Sequence, residues 1–477
     1  MAAQSADSLL VLQLTSTVRF NLISSCLFIT LAVLCWYIYL YEAVPPVIVE
    51  ETATVDSKDS NGICDLYDGS WVVDETYPLY NASQCPFAEK SFNCLANGRR
   101  DDGYLKWRWK PKNCDGSRVN IGGILEMLRG KRVVFVGDSL SRTQWESMIC
   151  LLMSGVDDKS SVYEVNGNKI SKKIRYLGVR FSSYNFTVEF YRSVFLVQIG
   201  SVPKRAPKRV RSTIKLDELD SVSLKWIDSD ILVFNTGHWW NRAKLFEIGC
   251  YFKVNGRLKL GMSTMAAYTT ALNTWASWVE NMVDTNRTRV FFRTFEGSHW
   301  SGQNGHICKV TKKPLVRSKR EYRSHFSDVI KKVVNNMSVP VTSMYVTPMG
   351  SYRSDAHVGT WSDNPTVPDC SHWCLPGVPD AWNEILLGII LVCECKKEGE
   401  NGPASNTEFK LEKLHSMHEC HHDASSFQSS HSSCSLGPNG MKTVAITIDD
   451  DLHVHDEEEF VKNEKVGKGS SSSTSQA

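Results

Sequence analysis

The run Val133-Val134-Phe135-Val136-Gly137-Asp138-Ser139 constrains the fold more than any other stretch of this chain. Four consecutive apolar residues fit a strand buried on both faces. Gly137 then lets the backbone turn sharply and set a serine at the start of the helix opened by Leu140-Ser141-Arg142-Thr143-Gln144. A serine hydroxyl is a weak nucleophile until a histidine takes its proton. The segment Pro368-Asp369-Cys370-Ser371-His372-Trp373-Cys374 offers one, with an acid three residues earlier, close enough to hold the imidazole in a single tautomer. Gly-Asp-Ser alone is a common turn, and Asp-x-x-His alone is a common surface turn. One after a strand and the other between cysteines late in the globular region, the two together point to serine-dependent acyl transfer.

The surrounding pattern predicts an α/β fold with a doubly wound parallel sheet. Helical stretches at 122–128, 141–153 and 264–283 alternate with short apolar strands at 132–136, 229–235, 289–293 and 341–346. Residues 179–195 alternate and are rich in aromatics, which suits inserted antiparallel strands. In parallel sheets chemistry collects at the carboxyl ends of the strands, where both Ser139 and Asn235 fall. Ahead of this domain, residues 62–116 carry Cys64, Cys85, Cys94 and Cys114 among aromatics and turn residues. They read as a small disulfide-stapled module with little regular structure. Within it, Trp107-Arg108-Trp109-Lys110 is either a sugar-stacking surface or core packing.

Residues 22–41 contain no charge and are long enough to span a bilayer. Arg19 precedes them, and Glu42, Glu50 and Glu51 follow, so residues 1–21 are expected in the cytoplasm and the rest in the lumen of the secretory pathway. Residues 42–61 read as a stem. Four sequons, at Asn81, Asn185, Asn286 and Asn336, agree with lumenal exposure. So do the nine cysteines of residues 62–391, none in a C-x-x-C pair, which are disulfide candidates rather than zinc ligands. Nine is odd, and Cys250 is taken as the free one. The net charge of +2 gives no reason to expect nucleic-acid binding. The catalytic domain is expected over 117–391, and the polar, Ser-rich residues 392–477 read as disordered. Their His415, His418, Cys420, His421 and His422 lack partner ligands at matching spacing, so no metal site is expected.

The chain resembles the plant trichome-birefringence-like family of Golgi polysaccharide O-acetyltransferases, within the SGNH (GDSL-like) hydrolase superfamily. The resemblance spans roughly residues 62–387. It rests on Cys64-Asp65-Leu66-Tyr67-Asp68-Gly69-Ser70-Trp71-Val72, Tyr104-Leu105-Lys106-Trp107-Arg108-Trp109, Gly137-Asp138-Ser139, Asn235-Thr236-Gly237-His238-Trp239-Trp240, and Asp369 through Gly377. It implies Ser139 as nucleophile, His372 as base and Asp369 as the residue orienting it. The oxyanion donors would be the Ser139 backbone N–H and Asn235. The implied disulfides are Cys64–Cys114, Cys85–Cys150, Cys94–Cys374 and Cys308–Cys370. Family members usually end soon after the segment matching Trp382-Asn383-Glu384, whereas this chain continues to Ala477.

The resemblance further implies a single-pass Golgi membrane protein with no bound cofactor. Its acetyl donor would be acetyl-CoA or a carrier derived from it, and its acceptor a cell-wall polysaccharide. Trp107, Trp239, Trp240 and Arg142 are the candidate groove residues, with core packing the alternative for the tryptophans. The basic stretch 203–211 favours an acidic acceptor if it borders the groove. Residues 163–168 and 177–181 look like the rhamnogalacturonan branch of the family, with xylan the next choice. A polysaccharide acetylesterase and a non-catalytic wall-polysaccharide binding protein remain the alternatives. No protein partner is legible.

Overall fold

The cysteine-rich segment contains more regular structure than its composition predicts. β1 (Asp65–Val73) and β2 (Trp107–Lys112) pair antiparallel, placing Trp71 opposite Trp109. The two indoles meet edge-on at 5.6 Å, and the Trp109 ring N–H donates to the Leu66 carbonyl at 2.9 Å. Trp109 is therefore core, while Trp107 stays half-buried. The computed structural model describes residues 65–112, 114, 119–301, 307–315 and 324–401. All lie in the unit that begins at Gly62, so this ribbon and the α/β domain form one body. The expected membrane span at 22–41 lies outside the described residues, among which no helix is long and apolar enough to cross a membrane.

The apolar runs form a seven-stranded sheet. Its strands are β3 (Arg132–Gly137), β4 (Val162–Glu164), β5 (Tyr176–Phe181), β6 (Phe186–Arg192), β9 (Ile231–Phe234), β12 (Arg289–Arg293) and β15 (Val341–Met344). Their order is β15-β12-β9-β3-β6-β5-β4. The first five in that order run parallel, and β5 and β4 continue antiparallel at one edge. The antiparallel strands expected over 179–195 are present, since β5 and β6 pair antiparallel, but they extend the main sheet rather than forming an insertion, because β6 also joins it parallel to β3. The reason is hydrogen bonding, since β6 matches β3 residue for residue from Arg132↔Thr187 to Gly137↔Arg192. A four-stranded sheet of β7 (Val197–Gly200), β8 (Ser212–Leu219), β10 (Cys250–Val254) and β11 (Arg257–Lys259) sits beside it in the order β11-β10-β8-β7.

Alternation along β3 divides the core in two. Val133 and Phe135 face a cluster with α1 (Ile121–Met127), α2 (Ser139–Ser154) and α6 (Val378–Asn401), together with Phe92 and Trp109 of the first module. Val134 and Val136 face the opposite cluster, with α3 (Thr264–Met282) and α4 (His325–Asn335). Helices thus cover both faces of a parallel sheet, the doubly wound arrangement the sequence predicts. Two boundaries shift. α2 starts at Ser139 itself, and α6 runs through the expected domain end at 391 to Asn401. Residues 402–477, with the His/Cys cluster, lie outside the described residues.

Candidate active site

Ser139 is the first residue of α2, directly beyond the carboxyl end of the central strand β3. Asp138 caps the helix by accepting from the Leu140 N–H at 2.9 Å. Gly137 is obligatory for a steric reason: a Cβ there would lie 2.6 Å from the Asn235 carbonyl oxygen. The two strand ends are therefore pressed together, and the turn lifts Ser139 out of a helix that is otherwise buried from Leu140 to Met153.

His372 and Asp369 come from the other end of the chain. β16 (His357–Gly359) and β17 (Asp369–Trp373) form a two-stranded ribbon with His357 opposite Trp373. One oxygen of Asp369 accepts from the Ser371 and His372 backbone N–H groups at 2.8 and 2.9 Å. The other lies 2.6 Å from His372 Nδ1, and His372 Nε2 lies 2.7 Å from Ser139 Oγ. Nδ1 donates to the carboxylate, which leaves Nε2 to accept from the serine hydroxyl. Burial pushes the Asp369 carboxyl up, but His372 and the two backbone donors more than reverse this and hold it well below the usual carboxylate range. The acid therefore stays ionised and can stabilise an imidazolium.

The ribbon is fastened from several sides. Cys370 is bonded to Cys308 and Cys374 to Cys94, and Cys85–Cys150 ties the first module to α2. Cys114 is disulfide-bonded, while its expected partner Cys64 lies outside the described residues. Cys250 is free and buried. Phe92 of the first module lies against the His372 imidazole, ring centres 5.6 Å apart, and its carbonyl accepts from the Leu375 N–H at 2.9 Å. His357 is fully buried, and burial followed by the neighbouring His299 lowers it to about 3. Its uncharged ring holds the His372 carbonyl through Nδ1 at 2.9 Å.

The other expected site residues differ in their surroundings. Asn235 was expected as an oxyanion donor. Its amide brackets Asp138, accepting from the Asp138 N–H at 3.2 Å and giving one of its two N–H donors to the carboxylate at 3.1 Å. Arg142 was expected in the groove, but it is buried and paired with Glu89 and with Glu146, the latter at 2.6 Å. Its guanidinium lies over the Phe92 ring, 5.1 Å from the ring centre. A helix with no solvent face leaves an arginine no route outward, so it pairs within. Trp240 is likewise core, donating to Thr236 Oγ1 at 2.9 Å and packing on Tyr268. Trp239 is only half-buried. The basic stretch 203–211 is mostly exposed loop between β7 and β8, with Arg209 over Tyr251. Asn81, Asn185, Asn286 and Asn336 are all exposed.

His238 has a role that its motif block did not disclose. Its Nε2 donates to the Glu296 carbonyl at 3.0 Å, and its Nδ1 lies 3.6 Å from the Asp138 carboxylate. Burial lowers the imidazole, but Asp138 and Glu296 more than reverse this and favour the ring protonated on both nitrogens. Burial raises the Asp138 carboxyl, yet His238, Arg293 and Asn235 together bring it far below the usual range. Asp138 is thereby a fixed anion beneath the nucleophile, holding the turn rather than exchanging protons. A histidine four residues past a strand end was the available signal.

A serine at the carboxyl edge of a parallel sheet, bonded to a histidine that a carboxylate orients, has the geometry of serine acyl-ester enzymes with an SGNH-like fold. Residues 117–389 match the GDSL/SGNH-like acyl-esterase family found in Pmr5 and Cas1p, and residues 62–115 match the PMR5 N terminal domain. Among relatives from Arabidopsis thaliana, "Protein trichome berefringence-like 7" is 65% identical over 68% of this chain and 72% of its own length. Trichome birefringence-like 6 is 42% identical over 68% and 70%, and trichome birefringence-like 9 is 38% identical over 76% and 93%. This chain belongs to the trichome-birefringence-like family, and its chemistry is that of the acetyltransferases and esterases of the acyl-esterase fold.

Proposed function

We propose that this protein is an O-acetyltransferase that carries acetyl groups through an acetyl-serine onto hydroxyls of a plant cell-wall polysaccharide. The observation behind this reading is the unbroken chain of short contacts from Ser139 Oγ through His372 to Asp369. In the first half, His372 Nε2 takes the serine proton as Oγ attacks the acetyl carbonyl. The Ser139 N–H, at the first position of a 16-residue helix, has no intrahelical acceptor and can bond the developing oxyanion. The leaving group departs with the proton from His372. In the second half, a sugar hydroxyl gives its proton to His372 and attacks the acetyl-serine, and Ser139 Oγ recovers the proton.

The donor is taken to be acetyl-CoA or a derived carrier, acting as co-substrate. The setting is the Golgi lumen, with the chain anchored by residues 22–41. Three disulfides support an oxidising compartment. The acceptor is a pectin of the rhamnogalacturonan kind, ahead of xylan. The test incubates the protein with an acetyl donor and de-acetylated oligomers of each polymer. Mass spectrometry looks for a gain of about 42 Da, an acetyl group less a hydrogen. Gain on sugar that vanishes in Ser139→Ala supports the transferase. Acetate release with no acceptor-dependent gain makes it an esterase, and silence on every acceptor favours a binding protein.

A further inference from the structure

Two cations border the nucleophile without an acid of their own. Strand register sets Arg192 opposite Gly137, two residues before Ser139, and the Ser193 N–H donates to the Gly137 carbonyl at 2.9 Å. Arg192 therefore stands at the β6 flank of the serine turn. On the other flank, the loop beyond β9 brings Trp239 and Lys244, with the Lys244 N–H held by Asn241 at 2.9 Å. The two flanks meet over one indole. Lys244 Nζ lies 4.6 Å and Arg192 Cζ 5.7 Å from the Trp239 ring centre, and Phe195 braces that ring edge-on at 6.3 Å.

Neither cation forms an ion pair among the described residues. The Arg192 guanidinium has one bond, to the Lys172 carbonyl at 3.1 Å. Burial depresses it, and the like charges of Arg142 and Arg175 depress it further. Asp138 and Asp369 act on Lys244 electrostatically but are committed to His238 and His372. Both cations stand over the Trp239 ring, and neither has a carboxylate of its own among the described residues. A neutral sugar groove needs no such pair. A carboxylate at the edge of that ring would gain charge-assisted hydrogen bonds from both.

We propose that Arg192, Lys244 and Trp239 form a carboxylate-binding subsite, so that the acceptor carries a uronic acid close to the hydroxyl that is acetylated. This rests on the acetyl-transfer reading and assigns to three residues a preference that the exposed 203–211 loop leaves general. A single anionic group suits two cations flanking one ring, and an indole offers the apolar edge of a pyranose a surface to lie on.

The test measures binding of a galacturonic acid oligomer and of the same oligomer with its carboxyls reduced to hydroxymethyl groups, using the full chain. The acidic oligomer should bind about tenfold more tightly or better. Arg192→Gln and Lys244→Gln should each weaken it about fivefold, and the double variant should bind both oligomers alike. Lys244→Arg should keep most of the preference. Ser139→Ala should bind as wild type, which separates this subsite from the chemistry. Loss of acetyl transfer with the preference intact would overturn the transferase alone. Equal binding of the two oligomers by the wild type would overturn the subsite alone. A preference unchanged in the double variant, or variants that weaken only coenzyme A binding, would likewise overturn it, the latter by assigning the cations to a donor phosphate.

Discussion

Ser139 and His372 meet at 2.7 Å, yet different physics holds each of them. The serine stands on the strand–turn–helix of β3 and α2, where every neighbouring element is locked by parallel hydrogen bonding and apolar packing. The histidine stands on a two-stranded ribbon that could not hold itself. Two disulfides, the Phe92 ring, the His357 hydrogen bond and buried arginines fasten it instead. Arg99 reaches the Asp355 carbonyl at 2.8 Å, and Arg353 reaches the Tyr104 carbonyl at 2.6 Å, tying ribbon to module in both directions. The cysteine-rich module thus clamps His372, while the sheet supports Ser139. One half of the site depends on local geometry and the other on long-range cross-links.

That contrast can be broken or sharpened by experiment. Ser139→Ala should reduce turnover by about 10⁶-fold with unchanged melting, since only the nucleophile is lost. Asp369→Asn should cost about 10⁴-fold, because an amide no longer enforces the tautomer. A loss as small as tenfold would mean that the His357 and Phe92 contacts orient His372 without the acid. Cys374→Ser removes a link between residues 280 apart and should lower stability by about 3–5 kcal/mol in urea titration, with activity falling in step. Cys250→Ser, at the free buried thiol, should shift stability by about 1 kcal/mol at most. Equal effects of the two would deny the clamp its special role.

Smaller effects test the support beneath the clamp. Phe92→Leu keeps apolar volume but loses the flat ring beside His372, so kcat should drop about tenfold with KM preserved. Below it, burial pushes the Glu146 carboxyl up to about 7 despite Arg142 and the Glu89 backbone N–H. The folded protein keeps a proton that the unfolded glutamate releases near 4.5. The stability from this group is therefore full below about pH 4.5 and lost as pH rises toward 7. Glu146→Gln should flatten the fall in urea midpoint across that window, by up to about 1.4 kcal/mol per pH unit.

Much of the fold was legible because periodicity reports burial. The strands at Arg132–Gly137, Ile231–Phe234 and Arg289–Arg293 are apolar runs that a doubly covered sheet requires. The first module was less legible, since β1 alternates imperfectly around Asp65 and Asp68 and is held by its partner rather than by its own pattern. Arg142 and Trp240 were misplaced for a shared reason: composition cannot tell a polar or amphipathic side chain facing a groove from one satisfied inside. Arg192 carried no motif at all, because its place depends on a strand register that brings it to Gly137.

By itself, the sequence determined the turn at Gly137-Asp138-Ser139 and the pairing of Asp369 with His372, because both rest on contacts within three residues. It also marked the apolar strands that make the sheet parallel and covered. Only the tertiary structure decided that Asn235 and His238 secure Asp138, that Phe92 backs the base, and that Arg192 and Lys244 converge on Trp239. These contacts join residues far apart in the chain, and their distances follow from sheet order and cross-links that no local pattern encodes.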